Sequence, residues 1–239
     1  MAQDHESDAR VAELETDNAR LRRLLDARGA PESLRHGLRD TMAMLRAVLR
    51  FSAETADSVE YYASHLEGRL DSISRVRVAV DMLGEISLHT LISDELMIHL
   101  IREGEQAELR GPTVRLRPKS AQVVALAVHE LCSNAVEHGA FGLSEGKVEV
   151  VWSIDGHDAT KPGDLMLVWK EMGGAKVDTP TRRGFGMQVL LEMLRYELNA
   201  RVDLAFEPDG LRCTVRLPLV QRIGHVVDEA GSEEIGEPV

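Results

Sequence analysis

The chain has 239 residues, with 28 Lys+Arg against 40 Asp+Glu, 44% hydrophobic residues and a formal net charge of −12. That length holds one large domain or two modest ones. The acidic balance excludes a nucleic-acid surface as the main business, because phosphate contacts need a basic face, and 4% aromatic residues disfavour base-stacking platforms. No apolar run approaches the ~20 residues that span a bilayer, and the polar opening MAQDHESDAR is no secretory signal. Cys132 and Cys213 lack disulfide-scaffold numbers and metal-ligand spacing, so a reducing cytoplasm is the expected setting, with neither membrane nor nucleic acid as partner.

Residues 11–25 carry a heptad pattern, within a coiled-coil helix expected over residues 1–30. Val11, Asn18 and Leu25 fall at a, and Leu14 and Leu21 at d. An Asn at a is satisfied by its twin and favours an in-register pair. Arg10 and Asp17 at g would face Glu15 and Arg22 at e of a parallel partner, attractions that choose register more than they hold it. A homodimeric coiled coil is expected. Gly29-Ala30-Pro31 interrupts it.

Residues 31–84 read as a helical hairpin. Leu38, Met42, Leu45 and Leu49 make one apolar stripe, with His36 off it on a solvent-facing flank beside Arg39 and Asp40. Asp57 or Ser58 caps a second helix to about Met82, with Leu66, Leu70, Ile73, Val76 and Val80 inward. Two such hairpins would form a four-helix bundle around a dimer axis.

Residues 85–219 mix helix and strand. Leu88–Ile101 is expected as a helix, Thr113–Leu116 as a short strand, and Ser120–His138 as a long helix capped by Ser120. Val148–Ile154 and Leu165–Glu171 read as strands, and glycines precede a helix to about Leu198. Arg201–Phe206 and Leu211–Leu217 make a closing hairpin around Pro208-Asp209-Gly210. The fold class expected is α+β, an α/β sandwich with helices on one face of a mixed sheet. Residues 220–239 read as an acidic, flexible tail.

The long helix contains His129-Glu130-Leu131-Cys132-Ser133-Asn134-Ala135-Val136-Glu137-His138-Gly139-Ala140. Glu130, Asn134 and His138 recur at i, i+4 and i+8, so a carboxylate and an amide oxygen are expected to share one cleft. Oxygen donors of that kind suit Mg²⁺ held together with a nucleotide's phosphates. Glycines later in the chain would let backbone N–H groups approach those phosphates at a helix N-terminus. Taken singly, each of these features is equally compatible with a solvated helix face or an ordinary turn.

Together the motifs resemble the HWE class of sensor histidine kinases. The resemblance rests on HELCSNAVEHGA with His129, Glu130 and Asn134, on VWKEMGG with Trp169 and Glu171, on RRGFG at 182–186, and on LRGPTVRLRP and EPDGLRCTVRLPL. It covers residues 32 to 219 or so. It implies a GHKL (Bergerat-type) ATP-binding domain behind a dimerisation and phosphotransfer hairpin, with ATP and Mg²⁺ as cofactors. By position, Asn134 would ligate Mg²⁺ and Glu130 would orient or deprotonate the accepting imidazole. Glu171 stands where related ATPases carry an adenine-binding Asp, above a floor shaped by Gly173 and Gly174. Gly184, Phe185 and Gly186 would close the phosphate side, with Arg182 or Arg183 available to the phosphates and His138 at the cleft. Trp169 is expected to pack beside the pocket, and His129 to contact nucleotide or brace the helix.

The implied activity is ATP-dependent autophosphorylation on His36, followed by transfer to an Asp of a response regulator. The acceptor segment departs from the family's common His-Arg-Val-Lys-Asn. It reads His36-Gly37-Leu38-Arg39-Asp40, and Asp40 could hold the imidazole tautomer and help take its proton, or repel the incoming phosphate. With only a short segment ahead of the hairpin, the signal is expected from a partner such as an upstream sensor, or from dimerisation. The principal alternative is a non-catalytic phosphotransfer or scaffold protein with a vestigial pocket. A third is a GHKL serine kinase, which needs neither the hairpin nor His36.

Overall fold

The computed structural model describes residues 16, 17, 19, 20, 32–55, 58–156, 163–174 and 184–227, with the first helix's side chains from residue 37 onward. Most of the heptad segment, Asp57, the His36 side chain, Arg182, Arg183 and residues 228–239 lie outside them. The chain divides into two compact units, residues 1–46 and 47–239.

Helix α1 (Glu32–Thr55) runs through residues 36–40. Gly37 lowers helix propensity there, and the Thr41 hydroxyl donates back to the Gly37 carbonyl at 2.9 Å. The expected stripe is displaced: Leu38, Met42, Leu45 and Leu49 are only half-buried, while Met44, Val48 and Ser52 are the buried positions. Helix α2 (Val59–Leu83) starts at Ser58, whose hydroxyl accepts the Tyr61 N–H at 3.1 Å, and stops at Gly84 with φ +79. Its inward face holds Ile73, Val76 and Val80 as expected, but also Arg69 and Ser72, whereas Leu66 and Leu70 are half-buried.

Strand β1 (Ile86–Ser87) leads into α3 (Leu88–Ile98), which ends three residues earlier than expected because Leu100 turns to φ +62. An unanticipated β2 (Ala107–Arg110) precedes β3 (Val114–Leu116). Helix α4 (Pro118–Glu137) begins at Pro118, not at a Ser120 cap. Proline's fixed φ and missing N–H suit the first helical turn, so Arg117 takes the extended cap position and Ser120 lies buried inside.

Strands β4 (Lys147–Asp155) and β5 (Asp164–Met172) follow. Next come α5 (Phe185–Gln188), a π-helical stretch (Val189–Met193) and α6 (Leu194–Leu198), then β6 (Arg201–Glu207), β7 (Gly210–Pro218) and β8 (Gly224–Val226). Strand β8 pairs antiparallel with β3, so residues 224–226 are not part of a flexible tail. The main sheet has the order β2-β4-β5-β7-β6, parallel only between β2 and β4. Register sets Val150 opposite Trp169 and Trp169 opposite Cys213. Alternate residues of the three central strands are buried on one face, Val148, Trp152, Leu167 and Val215 among them. The opposite face is partly exposed. That pattern is a sheet covered by helices on one side, with α4 buried along most of its length.

Asn199 closes α6 in the left-handed region at φ +56. Asn tolerates that conformation, glycine accepts it freely and alanine does not. Asn199→Ala should lower unfolding free energy by about 1 kcal/mol and Asn199→Gly by only a few tenths. Chemical denaturation of the two variants beside the wild type checks this.

Candidate active site at the exit of the long helix

Three buried carboxylates surround α4, and each is met by a different set of donors. Glu130, 4% exposed, faces α2. Arg69 Nε donates to its Oε1 at 2.7 Å and Arg69 Nη2 to its Oε2 at 3.2 Å, while Nη1 reaches Ser52 Oγ at 3.0 Å. The guanidinium carbon also sits 3.6 Å from the centroid of Phe185, a cation–π contact. A buried guanidinium with a forked carboxylate is a strong, directional pair. Removing one member of such a pair costs about 3–5 kcal/mol.

Glu95 of α3 is the second. Its Oε1 lies 2.7 Å from His129 Nδ1, and its Oε2 accepts from Ser72 Oγ and Arg75 Nη2, each at 3.0 Å. Burial pushes the Glu95 carboxyl up, but the His129 contact and the Arg75 charge overcome it and leave the group below its ordinary value. His129 therefore braces α4 against α3, and a Cβ on Gly68 would meet its ring at 2.9 Å. Glu95, His99 and His129 offer donor atoms within 4.8 Å of one another, a spacing a metal ion could use. Glu95 already spends both oxygens on His129, Ser72 and Arg75, and the Arg75 cation beside it opposes a second positive charge.

Glu171, on β5, is the third. Its Oε2 accepts the Ala140 N–H at 3.0 Å and its Oε1 the Trp169 indole N–H at 3.3 Å. Burial pushes this carboxyl up, and those two donors pull it part of the way back. Gly139 makes the close approach possible, since a Cβ there would lie 2.0 Å from Glu171 Oε2. Gly174 packs on Ala140, Gly173 turns at φ +67, and Trp169 is completely buried.

Asn134 is half-buried one helical turn beyond Glu130. Gly186 lies against both: a Cβ there would sit 3.1 Å from Asn134 Nδ2 and 3.2 Å from Glu130 Oε2. A side chain at 186 would crowd both neighbours, whereas a Cβ on Gly184 would meet nothing within 4 Å. Glu130 and Asn134 thus lie side by side at Gly186, as their spacing leads one to expect, while His138 stands apart. The helix ends at Glu137, His138 is its C-cap with φ −134 and is exposed, and Glu130 turns toward α2. On α1, Asp40 is exposed.

Arg69, Ser52 and Glu95 were invisible as site residues. A faint signal exists for the first: His65, Gly68, Arg69, Ser72 and Arg75 fall on one face of α2, which contacts α3 and α4.

Comparison with known proteins follows from this geometry. Residues 33–113 match the family model described as HWE histidine kinase. The chain is 28% identical over 196 residues to a blue-light-activated histidine kinase 1 of Erythrobacter litoralis, covering 79% of this chain and 52% of the relative. It is 29% identical over 209 residues to a blue-light-activated histidine kinase of Brucella anthropi, covering 85% and 41% respectively. The chain thus spans about half the length of these curated relatives, or less. The histidine kinase domain of an Erythrobacter litoralis blue-light activated kinase superposes with TM-score 0.52 at 16% identity, over 75% of this chain and 96% of that one. The longer structure of that kinase gives 0.58 at 17%, over 81% and 62%. At such identities these two likenesses show the fold. No helix among the described residues is long and apolar enough to cross a membrane.

Because the folded-state value of Glu95 is depressed, its contribution to stability is present above the ordinary 4.5 and is lost as pH falls through the lower folded value. Glu95→Gln should remove that acid-dependent part and cost about 1.5–3 kcal/mol near neutrality. Denaturant unfolding of both proteins between acidic and neutral pH tests it; equal pH slopes would count against the assignment.

Proposed function

From the resemblance to HWE histidine kinases, carried now by a family match over residues 33–113, we propose that the chain is an ATP-dependent protein-histidine kinase of a two-component system. It phosphorylates His36 and passes the phosphoryl group to an Asp of a response regulator. The observation that carries this reading is the placement of Gly186 beside Asn134 and Glu130, where an added Cβ would come within 3.1 and 3.2 Å of their side chains, next to the buried Phe185. Glycine backbone at a helix start beside a half-buried amide suits a polyphosphate held with its cation.

Bound ATP with Mg²⁺ supplies the transferable γ-phosphoryl group and neutralises its charge. Asn134 would hold the cation through its amide oxygen, and Arg182 or Arg183 the phosphates. Glu171 would stand at the adenine end over Gly173 and Gly174; with both oxygens already accepting N–H groups, it has lone pairs left to share with the base's amino group. His36 is the nucleophile: a ring nitrogen bonds to phosphorus while the bridging oxygen leaves with ADP. Glu130 would take or orient the proton on the other ring nitrogen. Asp40, one turn beyond His36, would favour the tautomer that exposes the attacking nitrogen.

Mixing the chain with radiolabelled ATP and Mg²⁺ should give acid-labile, base-stable label. His36→Ala should abolish it, and Asn134→Ala should lower it by roughly 10²-fold, the scale of losing one electrostatic ligand in the transition state. ATP binding without label transfer to any residue would favour the scaffold reading. Base-labile label retained in His36→Ala would favour a serine kinase.

A second copy of the chain is the proposed partner of the hairpin. Val78 and Met82, 59% and 81% exposed, lie one turn apart on the side of α2 away from its buried face. Aliphatic surface of that kind at a bundle seam is covered by association. Val78→Glu together with Met82→Glu should shift sedimentation from dimer toward monomer while far-UV circular dichroism stays unchanged.

A further inference from the structure

We infer that Arg69 is a positioning residue, a latch from the second hairpin helix that withholds Glu130 from its acceptor and holds the Phe185 end of α5 shut until α2 moves. The inference rests on the proposed role of Glu130 and extends it from chemistry to regulation.

Glu130 is nearly inaccessible and already paired with a cation. Both oxygens are occupied, at 2.7 and 3.2 Å, by two nitrogens of one guanidinium, and the third nitrogen is tied to Ser52 at 3.0 Å. Arg69 and Glu130 are each only 4% exposed. An imidazole seeking Glu130 must therefore displace a paired cation rather than bulk water. The Arg69 guanidinium carbon also lies over the Phe185 ring, 3.6 Å from its centroid, and the next residue, Gly186, packs on Glu130 and Asn134. Withdrawing the guanidinium would thus free the carboxylate and release the start of α5 in one event. Only a planar, forked cation can do both; a lysine would supply one point charge and no stacking face.

The rest of α2 explains how a signal reaches the latch. His65 meets Glu137 at 3.3 Å, Gly68 packs under His129, and Ser72 meets Glu95 at 3.0 Å, all on the face that carries Arg69. A rotation of α2 about its axis shifts this row as a unit, and Arg69 is the member whose partners are the proposed catalytic carboxylate and the aromatic side chain at the start of α5. Two discrete packings of one helix are the usual carrier of such coupling.

The test uses the full chain in two disrupting forms, Arg69→Gln and Ser52→Ala, the second removing the third arm of the latch in case the first does not fold, with Arg69→Lys as the conservative form. Hydrogen exchange of residues 185–198 is followed without nucleotide, and initial autophosphorylation rates are measured across ATP concentrations. Faster exchange is expected in both variants. Autophosphorylation kcat should rise roughly tenfold in Arg69→Gln, equivalent to ~1.4 kcal/mol in the closed–open balance, with KM for ATP unchanged. Arg69→Lys should fall between it and the wild type. A folded Arg69→Gln protein with unchanged or lower kcat overturns the latch, since a merely structural residue gives only loss. If the wild type takes no label, the kinase reading fails instead, and exchange over 185–198 alone decides: no increase in either variant overturns the latch.

Discussion

Burying opposite charges is tolerable only when each closes the other's hydrogen-bonding account, and the Arg69–Glu130 pair does this at the junction of α2, α4 and α5. Hydrophobic packing alone would let α2 slide along α4, because apolar contact has little directionality. The forked ion pair, with Ser52 on the remaining nitrogen, fixes one register. Everything placed by that register follows from it: Gly68 beneath His129, Ser72 at Glu95, and Phe185 under the guanidinium.

The same constraint recurs around α4. Glu95 and Glu171 are also nearly inaccessible, yet each is met by donors on both oxygens. Buried carboxylates of this kind contribute little net stability compared with apolar replacements, but they enforce a single arrangement. Two of the three are held in part by side chains of α2, and the third by the Ala140 N–H just after α4 and the Trp169 indole. Helix α2 is therefore joined to α3, α4 and α5 by charge and shape together.

Much of the architecture was legible because periodicity reports burial directly. Strands β4, β5, β6 and β7 and helix α2 lie within a residue or two of their expected limits, since alternation and the Ser58 cap are local signals. Strand β2 was missed because Ala107–Arg110 alternates with only two buried side chains, and its place comes from pairing with β4, a partner some forty residues away. Ser120 misled because a good capping residue competes with the nearby Pro118, and proline's fixed φ decided the start. At the site, the helical spacing of Glu130 and Asn134 was readable, but the direction in which Glu130 points was not. Helical phase assigns a face; only the packing of α2 decides which face meets another helix. Arg69 shows why: an arginine stem fits an exposed flank as well as a buried one, and no local feature separates the two.

The demands on Glu130 then differ between the folded chain at rest and the proposed reaction. At rest the carboxylate needs a permanent cation, because it is cut off from water. During proton transfer it needs an imidazole in the cation's place. The structure meets the first demand with a residue from a different helix and not from α4 itself. A partner on the same helix, three or four residues away, would stay beside Glu130 through any movement of that helix. A partner on α2 leaves when α2 moves, so the interaction that stabilises the observed arrangement is also the one a shift of α2 would remove. The stability of this contact and the responsiveness of the site are thus set by one pair of side chains, and strengthening the first must weaken the second.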